Sequence, residues 1–140
     1  IKDRSIHKYY IAVVKGRWSD IGTFEAYLSK DNKLNQVTIT KEAVKDSQLI
    51  KTKIVSCDYN EKKDLTTLEI ELLTGRAHQI RAYLSSRKHP IVGDPKYGDM
   101  KLNKKLAING QLLFSHRVLI PASGLDIKAP LPQIYSEVVR

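Results

Sequence analysis

Hydrophobic and polar positions follow two periods along this chain, and the change from one to the other divides it. Residues 9–14, Tyr-Tyr-Ile-Ala-Val-Val, form an unbroken apolar run that stops at Lys15-Gly16, the pattern of a largely buried strand followed by a turn. Residues 23–28 and 36–40 flank the polar stretch 29–35 and predict a hairpin; residues 49–59 and 65–73 flank Asn60-Glu61-Lys62-Lys63-Asp64 and predict another. In the last run Leu68, Ile70 and Leu72 alternate with Thr67, Glu69 and Glu71, the period of two expected when one face of an antiparallel sheet is wet.

The period then lengthens. Over residues 76–86, Ala77, Ile80 and Leu84 recur at spacings of three and four, which predicts a short amphipathic helix joined to the preceding strand by Thr74 and Gly75. Thr74 is the candidate N-cap. Ala77, three residues on, replaces the Glu or Gln of a capping box, so this helix start is expected to be open to an anion. Pro90, Gly93, Pro95 and Gly98 mark a loop. Residues 101–106 predict a helical turn, 112–120 and 125–129 strands joined by Pro121-Ala122-Ser123-Gly124, and 133–139 a terminal helix. No repeat or heptad is present. The order predicts an α+β fold: a mostly antiparallel mixed sheet with a few short helices.

Composition narrows the class. A chain of 140 residues is one domain's worth, and its longest apolar run falls far short of the ~20 residues a membrane-spanning helix needs. With 41% hydrophobic residues and seven Tyr, two Phe and one Trp, it has enough apolar surface to offset the entropy of ordering, so a soluble globular domain is expected. Cys57 stands alone, which excludes an intrachain disulfide framework and a zinc site built from several cysteines and fits a reducing, cytoplasmic setting. The sequence opens at Ile1 with neither an initiator Met nor a signal-peptide pattern, so a piece of a longer polypeptide is expected.

Charge points to a partner. The net charge is +9, and splitting the chain after residue 70 leaves 13 − 10 = +3 on the left and 11 − 5 = +6 on the right. Arg76, Arg81, Arg87, Lys88, Lys96, Lys101, Lys104 and Lys105 lie close together in sequence with only Asp94 and Asp99 among them. That stretch fits a polyanion footprint, and fits equally a basic surface that serves solubility.

The run Leu72-Leu73-Thr74-Gly75-Arg76-Ala77-His78-Gln79-Ile80-Arg81, followed by Leu84, His89-Pro90-Ile91-Val92-Gly93-Asp94-Pro95 and Tyr97-Gly98, resembles the signature of the RluA family of RNA pseudouridine synthases. Lys8-Tyr9-Tyr10-Ile11-Ala12-Val13-Val14-Lys15-Gly16, Leu113-Phe114-Ser115-His116 and Ala129-Pro130-Leu131-Pro132 resemble flanking parts of the same pattern. The resemblance implies isomerisation of uridine to pseudouridine in ribosomal or transfer RNA, without a cofactor. It implies that Tyr10 lies against the target uracil and that Arg81 pairs with the catalytic aspartate. Ala77, Ala82-Tyr83 and Ser115 depart from the family's usual residues, at positions of helix packing or rim.

The family's aspartate belongs to a His-Arg-Leu-Asp segment upstream of the tyrosine strand, and the only Asp before Tyr10 is Asp3, in Lys2-Asp3-Arg4. Residues 1–140 are therefore expected to be the C-terminal portion of one catalytic domain, inactive without its N-terminal part. The alternative is a basic RNA-binding module with no catalytic role.

The residue types suit the chemistry. A guanidinium holds a buried carboxylate ionised by charge and fork geometry together. A tyrosine ring stacks on an extruded base, and its hydroxyl can assist proton loss from C5. A regular strand sends Tyr9 and Tyr10 to opposite faces, so register decides which reaches a site. On a continuous helix Arg76 and Arg81 lie roughly 140° apart and serve different partners, whereas His78 shares a side with Arg81. Arg76, His78, Lys88, Lys96, Lys101, Lys104 and Lys105 are the candidate RNA contacts, with a solvated loop as the alternative for the lysines. His7, His78, His89 and His116 show no ligand spacing, so no metal is expected.

Overall fold

A computed structural model describes residues 6–140; Asp3 lies outside the described residues. Seven strands form one sheet: β1 (His7–Lys15), β2 (Gly22–Asp31), β3 (Gln36–Thr40), β4 (Gln48–Asn60), β5 (Leu65–Leu72), β6 (Leu113–Ile120) and β7 (Leu125–Lys128). Their spatial order is β3-β2-β4-β5-β1-β6-β7, and every neighbouring pair is antiparallel. Helices α1 (Gln79–Ser86), α2 (Met100–Leu106) and α3 (Gln133–Val138) complete the α+β fold, with a 3-10 turn over Pro121–Ser123. The sequence pattern locates each strand to within a few residues at either end.

β1 is wedged between β5 and β6, and its apolar run has the burial expected there: Ala12, Val13 and Val14 are fully enclosed. Cross-strand register sets its faces. Tyr10 pairs with Ile70, which pairs with Ile54; Tyr9 pairs with Glu71, which pairs with Lys53. Tyr10 thus shares the apolar face. Tyr9 shares the charged one, where the Arg117 guanidinium lies 5.3 Å from its ring centroid.

The core joins Ile54, Leu68 and Ile70 of the sheet to Ile80 and Leu84 of α1 and to Ile91 and Val92 of the following loop. That loop is rich in Pro and Gly yet firmly tied. Val92 donates its N–H to the Val13 carbonyl, Leu112 donates to the Val92 carbonyl, and Lys15 donates to Pro90. Gly93 has φ +85°, and a Cβ there would meet the Gly110 carbonyl oxygen at 2.1 Å, so only glycine fits this crossing. Asp99 caps α2 by accepting from the Leu102 N–H, and the Lys15 ammonium reaches its other carboxylate oxygen at 2.6 Å, tying α2 to the end of β1. At the far end of the chain, α3 buries Tyr135, whose ring lies 6.1 Å from that of Phe114.

Two expectations from the sequence are corrected. Glu71 does not sit on a wet face: it is 6% exposed, because His7 Nδ1 at 2.6 Å and Lys53 Nζ at 3.6 Å close over its carboxylate. And α1 begins at Gln79, three residues later than its spacing predicts. Thr74 is not its N-cap. The Thr74 hydroxyl instead accepts from the Lys51 N–H and donates to the side-chain oxygen of Gln79. The buried Gln79 amide competes with a helical start: its oxygen also accepts from the Arg76 N–H, and its nitrogen donates to the Lys51 carbonyl and the Thr52 hydroxyl. The chain enters the helix through His78 in the left-handed conformation (φ 57°), with no side-chain cap.

Candidate active site

The turn that delays α1 makes the site. Because residues 75–78 leave the helical path, Arg76 and His78 are brought to the rim of a cleft of about 190 Å³ that also receives Tyr10, Leu72, Gln79, Ile80, Arg81 and Leu113. Four residues singled out in the sequence, Tyr10, Arg76, His78 and Arg81, therefore line one cleft. The angular separation predicted for Arg76 and Arg81 does not hold, since Arg76 precedes the helix. Tyr10 comes up from the middle of the sheet, and Leu72, Ile80 and Leu113 supply apolar walls.

Arg81 projects from the first turn of α1, and its guanidinium is gripped by Asp94. Nε reaches Oδ2 at 2.8 Å and Nη2 reaches Oδ1 at 2.9 Å, a bidentate pair in which the Asp94 side chain is fully buried and that of Arg81 is 13% exposed. Asp94 Oδ1 also accepts the backbone N–H groups of Lys96 and Tyr97. Burial pushes the Asp94 carboxyl upward, but the guanidinium and the two amides outweigh it and hold the group below the usual carboxylate range. The same hydrogen bonds raise Arg81 further above its already high value, against the opposing effect of burial. Asp94 is thus an internal anchor, with both oxygens engaged and neither offered to a substrate. Among the described residues lining the cleft there is no Asp or Glu.

Tyr97 packs over this pair. Its ring centroid is 5.2 Å from the Arg81 guanidinium carbon, its hydroxyl accepts from the Val37 N–H at 3.0 Å, and its carbonyl accepts from the Ser85 hydroxyl at 2.8 Å. Asp94 and Tyr97 are visible in the sequence as members of the Gly93-Asp94-Pro95 and Tyr97-Gly98 motif, but their pairing with Arg81 across 13 and 16 positions leaves no periodic trace.

The predicted lysine contacts are not gathered at the cleft. The Lys96 ammonium donates to the Asn35 carbonyl at 2.6 Å. Lys101, Lys104 and Lys105 are exposed on α2, where Lys104 borders a different depression beside Gly93 and Asn103, and Lys88 is exposed just after α1. The described residues contain no group of three or more His, Cys, Asp or Glu side chains placed to hold a metal ion. His7 and His116 are instead paired with Glu71 and Glu69.

The family described as RNA pseudouridylate synthase matches residues 1–86. The chain is 33% identical over 149 residues to a Bacillus subtilis protein named uncharacterized RNA pseudouridine synthase YlyB, covering 99% of this chain and 45% of that protein. It is 29% identical over 147 residues to the ribosomal large subunit pseudouridine synthase C of Vibrio vulnificus, again covering 99% of this chain and 45% of the relative. The chain thus spans a little under half the length of these relatives. Among solved structures it is similar to human RNA pseudouridylate synthase domain containing 1, with a TM-score of 0.75 at 21% identity over 92% of this chain and 56% of the other.

Proposed function

This chain belongs to the RNA pseudouridine synthase family, and from that premise we propose that the protein it forms part of isomerises uridine to pseudouridine in RNA, with the cleft between β1 and α1 as part of its active site. The observation that supports the reading is that Tyr10 and Arg81, the two residues the family motif marks, line one cleft. In the reaction the N1–C1′ bond of the uridine breaks, the base turns, a C5–C1′ bond forms, and the proton lost from C5 is balanced by one gained at N1. Tyr10 offers a flat face to an extruded uracil. Arg81, whose Nε and Nη2 are held by Asp94, has Nη1 left to donate to a second carboxylate. We assign that carboxylate to an N-terminal part of the same domain, and the Arg76, His78, Lys88, Lys96, Lys101, Lys104 and Lys105 side chains to contacts with ribosomal or transfer RNA in the cytoplasm. Among the described residues no helix is long and apolar enough to cross a membrane.

Release of tritium from RNA carrying 5-tritiated uridine tests the reading. The full-length protein is expected to release it, and residues 1–140 alone are not. No release by the full-length protein on bulk cellular RNA overturns the assignment.

A further inference from the structure

His78 lines the cleft with one ring nitrogen committed and the other without a partner among the described residues. Its Nδ1 lies 2.8 Å from the Tyr97 hydroxyl, with the two rings at 73° and 5.5 Å apart. That hydroxyl is 3.0 Å from the Val37 nitrogen, an amide that can only donate. A tyrosine hydroxyl has one proton to give, and its oxygen already receives the Val37 proton. Among the described residues the only other partner of that oxygen is His78 Nδ1. Tyr97 is buried, so the arrangement that leaves its hydroxyl proton paired is favoured: Tyr97 donates to a bare Nδ1, which places the imidazole proton on Nε2.

The surroundings favour the neutral ring. Partial burial comes first, then the positive charges of Arg81, Lys96 and Lys30, and together they outweigh the attraction of Asp94 and lower the His78 pKa. Arg81 shares the cleft and packs on the Tyr97 ring, Lys96 belongs to the same loop as Tyr97, and Lys30 lies on β2 beside Val37 of β3. Nε2 makes no hydrogen bond to any described residue, and His78 lines the cleft with Tyr10 and Arg81.

We propose that Tyr97 is a positioning residue that fixes His78 as a neutral Nε2–H donor, and that this donor contacts an acceptor oxygen of the bound uridine nucleotide. The contact deepens the functional reading above and rests on it, whereas the protonation state is a property of the chain alone. The acceptor chemistry is shared by a uracil carbonyl and a phosphate oxygen. A neutral donor displaces no counterion at either, so its contribution is independent of pH through neutrality and does not steepen the salt dependence of RNA binding. A charged histidine on a phosphate does both.

The first test is long-range proton–nitrogen NMR on the 140-residue chain with nitrogen-labelled histidine. His78 is expected to show a bare Nδ1 and a protonated Nε2 through about pH 7 to 8. A protonated Nδ1, or an imidazolium in that range, overturns the proposal. In Tyr97→Phe the pH midpoint of His78 is expected to move upward and the tautomers to mix, because the neutral ring no longer has its donor; an unchanged His78 spectrum in a folded Tyr97→Phe protein also overturns it. The second test is RNA affinity in the full-length protein. His78→Ala is expected to weaken binding about three- to tenfold, equally at pH 7 and pH 8 and with no change in salt slope, and His78→Gln, which keeps a neutral N–H donor, to restore most of that affinity. A weakening at pH 7 that is lost at pH 8, or a shallower salt slope, overturns the donor role. Uridine and inorganic phosphate, titrated separately into the labelled chain, distinguish the two acceptors by which one moves the Nε2 signal, and a chain in which neither moves it has no such contact. Failure of the wild type to bind RNA overturns the functional reading instead, and leaves the NMR result standing.

Discussion

Arg81 shows how a single buried pair directs a functional side chain. Its fork is fixed by Asp94 and its flat face by the Tyr97 ring, so its direction is set by the loop after α1 more than by the helix that bears it. Removing one member of a buried ion pair leaves the other charge uncompensated, at a cost of about 3–5 kcal/mol. Asp94→Ala is expected to lower the unfolding free energy in urea by that amount, whereas Arg81→Leu with Asp94→Leu together should cost less than the sum of the single changes. The pH dependence has a definite sign. Because the folded Asp94 carboxyl is held below its unfolded value, its stabilisation is complete above the ordinary aspartate range and disappears as pH falls through the depressed value. Thermal melts should therefore fall on the acid side in the wild type, and Asp94→Asn should flatten that part of the profile while lowering stability at neutral pH.

At the scale of elements, the strands are legible in the sequence and the joints are not. Alternation over residues 65–72 and the apolar run in β1 are enforced by burial on a pleated surface, so they leave a period in the sequence. The start of α1 leaves none, because Gln79, a residue whose propensity suits a helix interior, commits its amide to Thr74, Arg76, Lys51 and Thr52. Glu71 escapes its pattern for a similar reason, since its cover comes from His7 and Lys53 on two other strands. Of the site, Tyr10, Arg76, His78 and Arg81 are recoverable from the motif, while the Asp94 and Tyr97 roles depend on contacts between distant segments. Gln79→Ala is expected to cost roughly 2–3 kcal/mol by orphaning buried backbone and hydroxyl groups, measured by chemical denaturation. Gly93→Ala forces a Cβ against the Gly110 carbonyl from a left-handed backbone, and should destabilise by roughly 3 kcal/mol or more, visible as a smaller yield of soluble folded protein.

Across the whole molecule the formal charge of +9 sets the long-range behaviour. Phosphate contacts release counterions, so RNA affinity should fall steeply with salt, and neutralising Arg76 or one lysine of α2 should reduce the log–log slope by about one for each phosphate left without its cation. Filter binding across a salt series measures this, and an unchanged slope removes that side chain from the RNA footprint. The sheet order carries a different consequence. Tyr10 rides on β1, flanked on both sides, whereas Val37, which holds Tyr97 and through it His78, belongs to the outermost strand β3. Edge strands open more readily than central ones, so amide exchange should be fast at Val37 and slow at Ala12. The two sides of the cleft would then relax on separate clocks, the His78 side loosening while the Tyr10 side stays in place.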